Sequence, residues 1–292
     1  MTTTQLTDAL RIASQRGLLP TSLGSEELRQ AYANSLIKAS VISARTANLD
    51  YLAKIKAVID RLINGGYDND KPKLRLELKQ TLQALDYTPE GGFPTDLAGS
   101  VPPAEKGSLQ DLGSNRRLNL ILDTQQQLVT GKSQQLQGFD HIALKYAPAW
   151  ELVRIAWRRV PRGIDEGSIA WPQRWVQAGG IITFDGGRSR MIALKTSPVW
   201  EELGSSSLFD DALDTEHPPF AFNSGMGWLP VSLSECLRLG IDVGGQVPPK
   251  ATAESVAIAK PVFDVSKLGD DFGEVADKWF ADFEAEHGGG AE

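Results

Sequence analysis

The chain has 292 residues, 41% of them hydrophobic, so it can form one large domain or two modest ones with a real core, and global disorder is not expected. No run approaches the roughly 20 continuous apolar residues that span a bilayer. The opening residues, MTTTQLTDAL, lack the basic start and the apolar run of a signal peptide. We therefore expect a soluble protein made in the cytosol, with no membrane partner.

The net charge of −7 is unevenly distributed along the chain. Residues 261 to 292 hold nine acidic residues against Lys267 and Lys278, which accounts for the whole excess. The first 80 residues carry twelve Lys and Arg against eight Asp and Glu, without a dense cluster. Sequence-independent nucleic-acid binding requires a stronger basic stripe, so these charges are better explained as solvated helix faces.

The first region, residues 1 to 95, is predicted to be helical. One helix face is marked by apolar residues at three- and four-residue steps, which are Leu49, Leu52, Ile55, Val58, Ile59 and Leu62. Asn64-Gly65-Gly66 predicts the end of this helix. LRLELKQTLQAL predicts another amphipathic helix, and the stretch rich in Pro and Gly after it predicts a linker over residues 96 to 110.

The second region, residues 111 to 245, is predicted to be a mixed core, which makes the chain α+β. DLGSNRRLNLILDTQQQLVTG predicts a helix whose inward residues are Leu118, Ile121, Leu122 and Leu128. IITFDGGRSRMIALK places two β-rich runs around Asp185-Gly186-Gly187, which predicts a small β-hairpin. SECLRLG predicts a helix that buries the single cysteine, Cys236, as an inert core residue.

Residues 246 to 292 are predicted to form an acidic C-terminal extension. DFGEVADKWFADF lies within it and has apolar residues at helical spacing, which are Phe272, Val275, Trp279, Phe280 and Phe283. Acidic residues occupy the other face of this amphipathic helix. Docking of the helix on the core is favoured over a detachable partner helix, and both alternatives stay open.

Two motifs that would indicate ligand chemistry are incomplete. VTGKS, residues 129 to 133, is similar to the end of a phosphate-binding loop, but Gln126 stands where that pattern requires glycine. Structural zinc needs four Cys or His ligands, whereas this chain has one cysteine and three widely separated histidines. We therefore expect no metal site and no cofactor.

The segment HPPFAFNSGMGW, residues 217 to 228, combines two prolines, three aromatic residues and two glycines around Asn223 and Ser224. With His217 and Asp214 nearby, it is a candidate site of a hydrolase or toxin-like enzyme, although glycines are missing where a nucleophile elbow requires them. The favoured interpretation is a structural loop held by aromatic packing, without catalytic residues. Its structural motif is Pro218, Pro219, Phe220, Phe222, Asn223, Gly225, Gly227 and Trp228.

WELVRIAWRRVPR carries a set of arginines that we predict as candidate partner-binding residues, namely Arg154, Arg158, Arg159 and Arg162. Helical spacing would put Arg154 and Arg158 on one face. These side chains suit phosphate, DNA or an acidic partner. The alternative is a set of surface arginines paired with nearby acids, which are Glu151, Asp165 and Glu166.

Taken in order, three segments resemble the phage Mu F-like minor head proteins, the head morphogenesis family of tailed phages. LIKASVISARTANLDYLAKIKAVIDRLINGG is similar to the family's N-terminal helical segment. RRLNLILDTQQQLVTGKSQQLQG is similar to the helix in which the family usually has Arg-Thr-Glu, and Asp123-Thr124-Gln125 stands in that place. PPFAFNSGMGW resembles the family's closing Pro-Pro segment, which in many members continues to His and then Asn-Cys-Arg-Cys.

The closing segment departs from the family pattern at the residues suited to metal binding. Pro218, Pro219 and Asn223 keep the pattern, whereas Ala221 stands where the family has histidine. The places of Cys, Arg and Cys are taken by Ser224, Gly225 and Met226. Any metal role of the family's residues is therefore not expected here.

The resemblance implies a minor structural protein of a phage or prophage head that acts in capsid assembly near the portal. It implies portal and capsid proteins as partners, and a location in the host cytoplasm during assembly and then in the virion, at the head or head-tail region. Enzyme activity is not expected. Two alternatives stay open: the hydrolase or toxin-like enzyme centred on Asn223 and Ser224, and a protein that contacts the packaged DNA.

Overall fold

The structure is a computed structural model that describes residues 16–31, 40–64, 70–94, 103–156, 162–163 and 169–244. Arg158, Arg159 and the predicted acidic extension lie outside these residues, as do residues 96–102 of the predicted linker. By their contacts the described residues form two compact units. The first unit holds residues 59–64, 70–75 and those from 115 onward, and the second holds the remainder. The predicted domain boundaries stay predictions.

The chain is α+β, as predicted. The helices are α1 (Ser25–Ala31), α2 (Leu49–Asn64), α3 (Lys71–Ala84), α4 (Asn115–Gly138), α5 (His141–Tyr146), α6 (Trp171–Gln177), α7 (Val199–Leu203) and α8 (Leu233–Arg238). The strands are β1 (Gly17–Leu18), β2 (Ser40–Val41), β3 (Ala149–Arg154), β4 (Ile182–Asp185), β5 (Arg188–Leu194) and β6 (Met226–Val231). Within the described part of the chain, no helix is long and apolar enough to cross a membrane.

Helix α2 confirms the predicted apolar periodicity. Five of the six predicted residues are buried, and Leu49 is exposed because it is the first residue of the helix. The side chain of Asn48 caps this end by accepting a hydrogen bond from the backbone N–H of Tyr51 at 2.9 Å. The helix is described to Asn64, and the predicted stop at Gly65-Gly66 lies outside the described residues.

The stretch rich in Pro and Gly that follows α3 begins with a buried aromatic residue. Phe93 packs against Tyr51 and Tyr87, with ring centroids 5.9 and 5.1 Å away. Thr88 and Gly92 exchange two backbone hydrogen bonds of 3.0 and 2.8 Å. Residues 88–93, which precede the predicted linker, therefore form a packed turn.

The predicted hairpin is confirmed, and it belongs to a larger sheet. Strands β4 and β5 are antiparallel and joined by Gly186 and Gly187, whose positive φ angles of 56° and 82° suit a tight two-residue turn. The full antiparallel sheet has the order β4-β5-β3-β6. The second region thus contains more β structure than one hairpin.

Strand β3 corrects the helical spacing expected for Arg154 and Arg158. Residues Ala149–Arg154 form a strand, so side chains alternate between faces with period two. Trp150 and Leu152 are buried on one face, in the main core. A short apolar run does not distinguish a buried strand from a helix, which is why the helical interpretation was wrong.

The main core lies on the face of the sheet that carries Trp150. The rings of Trp150 and Trp228 stack with centroids 3.7 Å apart and an interplanar angle of 9°. Trp200 meets both rings edge-on, at 6.0 and 5.3 Å. Since indole rings contribute large apolar areas, this cluster dominates the packing of the unit.

Helix α8 covers part of the opposite face of the sheet. Cys236 is fully buried there beside Ala149, Ile192 and Val231. Burial raises the pKa of the Cys236 thiol, which keeps it protonated. The prediction of a short helix that buries Cys236 is confirmed.

Lys195 connects the end of β5 to α4 and α5. Its side chain is buried, and Nζ donates hydrogen bonds to the carbonyls of Gly138 at 3.1 Å and Ala143 at 3.3 Å. Gly138 is the last residue of α4, where the helix dipole favours a positive charge. Burial nevertheless lowers the pKa of Lys195 from 10.5 to about 8.

The lowered pKa of Lys195 predicts a rise in stability at alkaline pH. Between about pH 8 and 10.5 the unfolded chain binds more protons at this group than the folded chain, so the free energy of unfolding rises with pH. The two carbonyl partners of Lys195 favour the charged amine and so oppose this effect. We therefore expect the free energy of unfolding to rise by about 1 to 3 kcal/mol. Lys195→Met should remove this rise, and the control Lys145→Met, at an exposed residue, should keep it. Identical pH profiles of Lys195→Met and the unaltered protein in chemical denaturation would contradict the prediction.

Candidate functional site

The segment 217–228 joins the loop after α7 to strand β6 and lies against α4. Gly131 of α4 approaches the segment closely, because a methyl group at this position would clash with the carbonyl oxygen of Pro218. The two backbones are therefore in direct contact. Gly131 lies in the middle of α4, so VTGKS is helical and does not form a phosphate-binding loop.

Helix α4 carries the second segment of the resemblance and is longer than predicted. Leu118 and Leu122 are buried, as expected. Beyond them the buried residues are small or polar, which are Thr124, Gly131, Ser133, Gln135 and Gly138. The helix therefore packs by close backbone approach in its second half.

The triplet Asp123-Thr124-Gln125 takes part in the packing of α4. Asp123 forms an ion pair with Lys71 at 2.6 Å, and Asn119, one turn earlier, accepts a hydrogen bond from Arg75 at 2.5 Å. Thr124 is buried. The start of α3 is thus attached to α4 by polar contacts.

The loop buries Phe220 in a backbone conformation that is rare for a bulky residue. Its φ angle is 46°, in the left-handed region, which disfavours a side chain by roughly 1 to 3 kcal/mol. The Phe220 ring is fully buried, with centroids 6.1 Å from Trp200 and 5.8 Å from Trp228. Burial of a Phe side chain contributes about 1.5 to 3 kcal/mol, which offsets the backbone term. The peptide bond between Pro218 and Pro219 is cis.

The predicted packing role of Phe222 is wrong. Its side chain is 37% exposed, whereas Phe220 and Trp228 pack in the core as predicted. Ala221, the residue between Phe220 and Phe222 in the sequence, is buried and forms an isolated β-bridge with Ala212. An irregular loop has no fixed alternation, so the sequence did not indicate which of the two phenylalanines faces inward.

The two glycines of the loop confirm the expected backbone constraint. Gly225 has a φ angle of 67°, and its carbonyl accepts hydrogen bonds from the N–H groups of Ile155 at 2.9 Å and Ala156 at 3.1 Å. A side chain at Gly227 would meet that of Ile155. Asn223 also has a positive φ, of 53°, and its side chain is exposed.

A buried arginine, Arg174 of α6, holds the loop that precedes this segment. Its side chain is 2% exposed and pairs with the carboxylate of Asp211 at 2.6 Å. Two further guanidinium nitrogens donate to the carbonyl of Leu203 at 3.2 and 2.8 Å. The guanidinium also lies over the Phe209 ring, 3.9 Å from its centroid. Burial, followed by the charge of Arg162, lowers the pKa of Arg174 to about 9.

Arg162 joins the same cluster and is a structural residue. One terminal nitrogen pairs with Asp211, and the other donates to the carbonyl of Phe222 at 2.7 Å. Asp211 therefore lies between two arginines, one of which holds the closing segment by its backbone. We call Arg162, Arg174 and Asp211 the arginine clamp.

The two described arginines of the predicted partner-binding set lie in different environments. Arg154 is exposed at the end of β3, and Arg162 is in the arginine clamp. Within the part of the chain that the structure describes, the Glu151 carboxylate binds Arg190, at 2.9 and 2.6 Å, and no pairing of Glu151 with Arg154 or Arg162 is found. Arg158 and Arg159 lie outside the described residues, as do Asp165 and Glu166.

The side chains that a hydrolase would use form hydrogen bonds with the backbone of neighbouring turns. The buried hydroxyl of Ser224 accepts a hydrogen bond from the backbone N–H of Met226 at 3.2 Å. Nδ1 of the buried His217 lies 2.9 Å from the carbonyl of Pro218. Asp214 accepts from the backbone N–H of Ser206 at 2.8 Å. Among the described residues, no group of three or more His, Cys, Asp or Glu side chains could hold a metal ion.

An ionic network on the α8 side of the sheet could not be found from the sequence. Arg190 of β5 bonds Glu151, Asp185 at 3.1 Å and Glu235 at 2.6 Å. Arg238 of α8 binds Asp185 with two bonds of 2.8 Å. The hydrogen bond from Arg238, followed by that from Arg190, lowers the pKa of Asp185 to about 2 despite partial desolvation. These contacts depend on the strand register, which the sequence alone does not determine.

The segment 217–228, α4 and the arginine clamp together form a packed structural element. Comparisons of the chain with protein-family models, with curated proteins and with solved structures found no match.

The contact between Gly131 and Pro218 predicts a reversal of the usual effect of Gly→Ala in a helix. In an open helix this change stabilises a protein by about 0.5 to 1 kcal/mol. Gly131→Ala should instead destabilise by about 1 to 3 kcal/mol, because the new methyl group meets the backbone of Pro218. Urea denaturation would measure this loss, with Thr130→Ala at the exposed neighbouring position as the control. A Gly131→Ala variant as stable as the control would show that the two backbones do not touch.

The arginine clamp predicts that Asp211→Asn destabilises the fold. The change leaves the charge of the buried Arg174 uncompensated, and breaking a buried pair costs about 3 to 5 kcal/mol. Because Asp211 is partly exposed, we expect about 3 kcal/mol. The matched control is Asp210→Asn, at an exposed position, which should change stability by less than about 0.5 kcal/mol. The clamp would be refuted by equal melting of the two variants.

Proposed function

We propose that the protein is a minor structural protein of a tailed-phage or prophage head that acts in capsid assembly near the portal. Its proposed partners are portal and capsid proteins. It would be present in the host cytoplasm during assembly and then in the virion. The proposal combines the resemblance of three segments with the contacts that those segments make.

The observation that carries the proposal is the backbone contact between Gly131 and Pro218. These residues lie in two of the three resembling segments, which are far apart in the sequence. Segments shared with one family are expected to form one structural element, and α4 and the closing segment do so. The contact needs no metal, which fits the loss of the His and Cys residues of the family pattern.

The local chemistry supports a structural role over an enzymatic one. A catalytic serine needs a hydroxyl that can reach a substrate and a base. The hydroxyl of Ser224 is buried and accepts a backbone hydrogen bond instead. The exposed Asn223 offers an amide, without a nucleophile, to the surface.

Capture of partners tests the proposed function most simply. The tagged full-length protein would be expressed during particle production, cross-linked, purified and analysed by mass spectrometry. We expect portal and capsid proteins in the captured set, at levels that Asp211→Asn lowers and Asp210→Asn does not. Capture of neither protein, in cells that do assemble heads, would refute the proposal.

Ser224→Ala separates the structural role from the hydrolase alternative. Loss of one hydrogen bond should lower stability by about 1 kcal/mol, and the folded protein should still support head formation. Thermal melting and the yield of infectious particles would both be measured, with Asn223→Ala as a second variant at the exposed tip. Loss of particles from either variant while its melting stays normal would favour the enzyme.

A further inference from the structure

The outer edge of the sheet at β4 has little of the usual protection against pairing. Among the described strands β4 pairs only with β5, and it ends the sheet. Ile181 and Phe184 are 80% and 75% exposed. Proteins normally protect such edges with charges, prolines, bulges or short strands. Strand β4 is short and carries one charge, on its last residue, Asp185, whereas Ile182, Thr183 and Phe184 carry none.

The register of the sheet identifies which backbone groups of β4 face outward. The N–H of Lys195 bonds the carbonyl of Pro148 at 3.0 Å, so odd-numbered residues of β5 bond towards β3. The even-numbered residues of β5 then form their backbone hydrogen bonds with β4. In the observed register, Arg190 lies opposite Thr183 and Arg188 lies opposite Asp185. Ile182 and Phe184 consequently direct their N–H and C=O groups to the open edge.

We propose that this edge pairs with the same edge of a second copy of the chain, antiparallel and around a two-fold axis at Thr183. In that register the outward N–H and C=O groups of Ile182 form hydrogen bonds with those of Phe184 in the second copy. By symmetry, Phe184 of the first copy bonds in the same way with Ile182 of the second. Ile182 and Phe184 lie on one face of the strand, and Ile182 already packs against the main core. Each exposed ring is thereby placed across from an isoleucine, and aromatic pairs with β-branched residues stabilise sheets.

The charges around β4 favour a second copy as the occupant of the edge. A two-fold contact brings identical residues together, so it requires an axis without unpaired like charges. Thr183 is uncharged, and Asp185 is neutralised by Arg190 and Arg238. This self-association does not depend on the proposed head function.

The size of the contact predicts a weak dimer. Phe184 is 75% exposed, which corresponds to an exposed area of about 150 Å². The two Phe184 rings and the two short strand edges therefore bury less than the roughly 1,200 Å² that stable interfaces bury. We therefore expect dissociation constants in the micromolar range and a mass that rises with concentration. Each dimer would carry one continuous sheet made of the strands of both copies.

Sedimentation of the full-length chain, from low to several hundred micromolar, tests the proposal. The average mass should approach that of a dimer. Thr183→Asp should weaken dimerisation at least about tenfold, because it sets two carboxylates against each other at the axis. Within one copy the new carboxylate faces Arg190, so the fold should be kept. Ser189→Asp adds the same charge on the same hairpin away from the axis and should leave dimerisation intact.

A cross-link tests the register without relying on the charge variant. Residues opposite each other in a non-hydrogen-bonded pair have Cα atoms about 4.5 Å apart, which a disulfide can bridge. Thr183→Cys should therefore form a disulfide-linked dimer under mild oxidation, and Ser189→Cys should not. A monomer at all concentrations, a dimer unaffected by Thr183→Asp, or failure of Thr183→Cys to cross-link would each overturn the proposal.

Discussion

The backbone contact between Gly131 and Pro218 is the constraint on which the second region depends. It fixes the distance between α4 and the closing segment, because no side chain separates them. Phe220, two residues after Pro218, packs in the tryptophan core, and the chain continues into β6 through Gly225. Helix, loop and sheet are thereby joined through one short segment. A glycine in mid-helix, normally unfavourable, is explained by this approach.

Charged groups stabilise the same region from several sides, each in a different way. The arginine clamp holds a buried guanidinium with a carboxylate and carbonyl groups, so its removal leaves a buried charge. Lys195 places a cation at the end of α4, where the carbonyl groups lack partners within the helix. The guanidinium of Arg190 is more exposed than that of Arg174, so each of its pairs should contribute less. These contacts position the loop and the helix ends and leave the tip at Asn223 accessible.

The sequence predicted elements whose signals are local. The period of α2, the Asp-Gly-Gly turn and the helix of Cys236 depend on neighbouring residues, and all three are confirmed. The alternation of β3 was missed because six residues are too few to distinguish a strand from a helix.

The remaining contacts of the site could not be predicted because they join residues distant in the chain. The pairing of Arg174 with Asp211 spans 37 positions, and that of Arg162 with the carbonyl of Phe222 spans 60. The inward turn of Phe220 instead of Phe222 follows from a positive φ angle that no sequence pattern indicated. The candidate site was thus predicted as a structural loop, without the side chains that hold it.

Amide hydrogen exchange of the closing segment tests the central claim most directly. If the segment is a packed structural element, the amides of Ile155, Phe220 and Met226, which donate to acceptors in or beside the loop, should exchange only on global unfolding. The amides of the hairpin turn at Gly186 and Gly187 provide the fast reference on the same molecule. Protection of the three amides at the level of β3 is the predicted result. Exchange of these amides as fast as those of the turn would contradict the account.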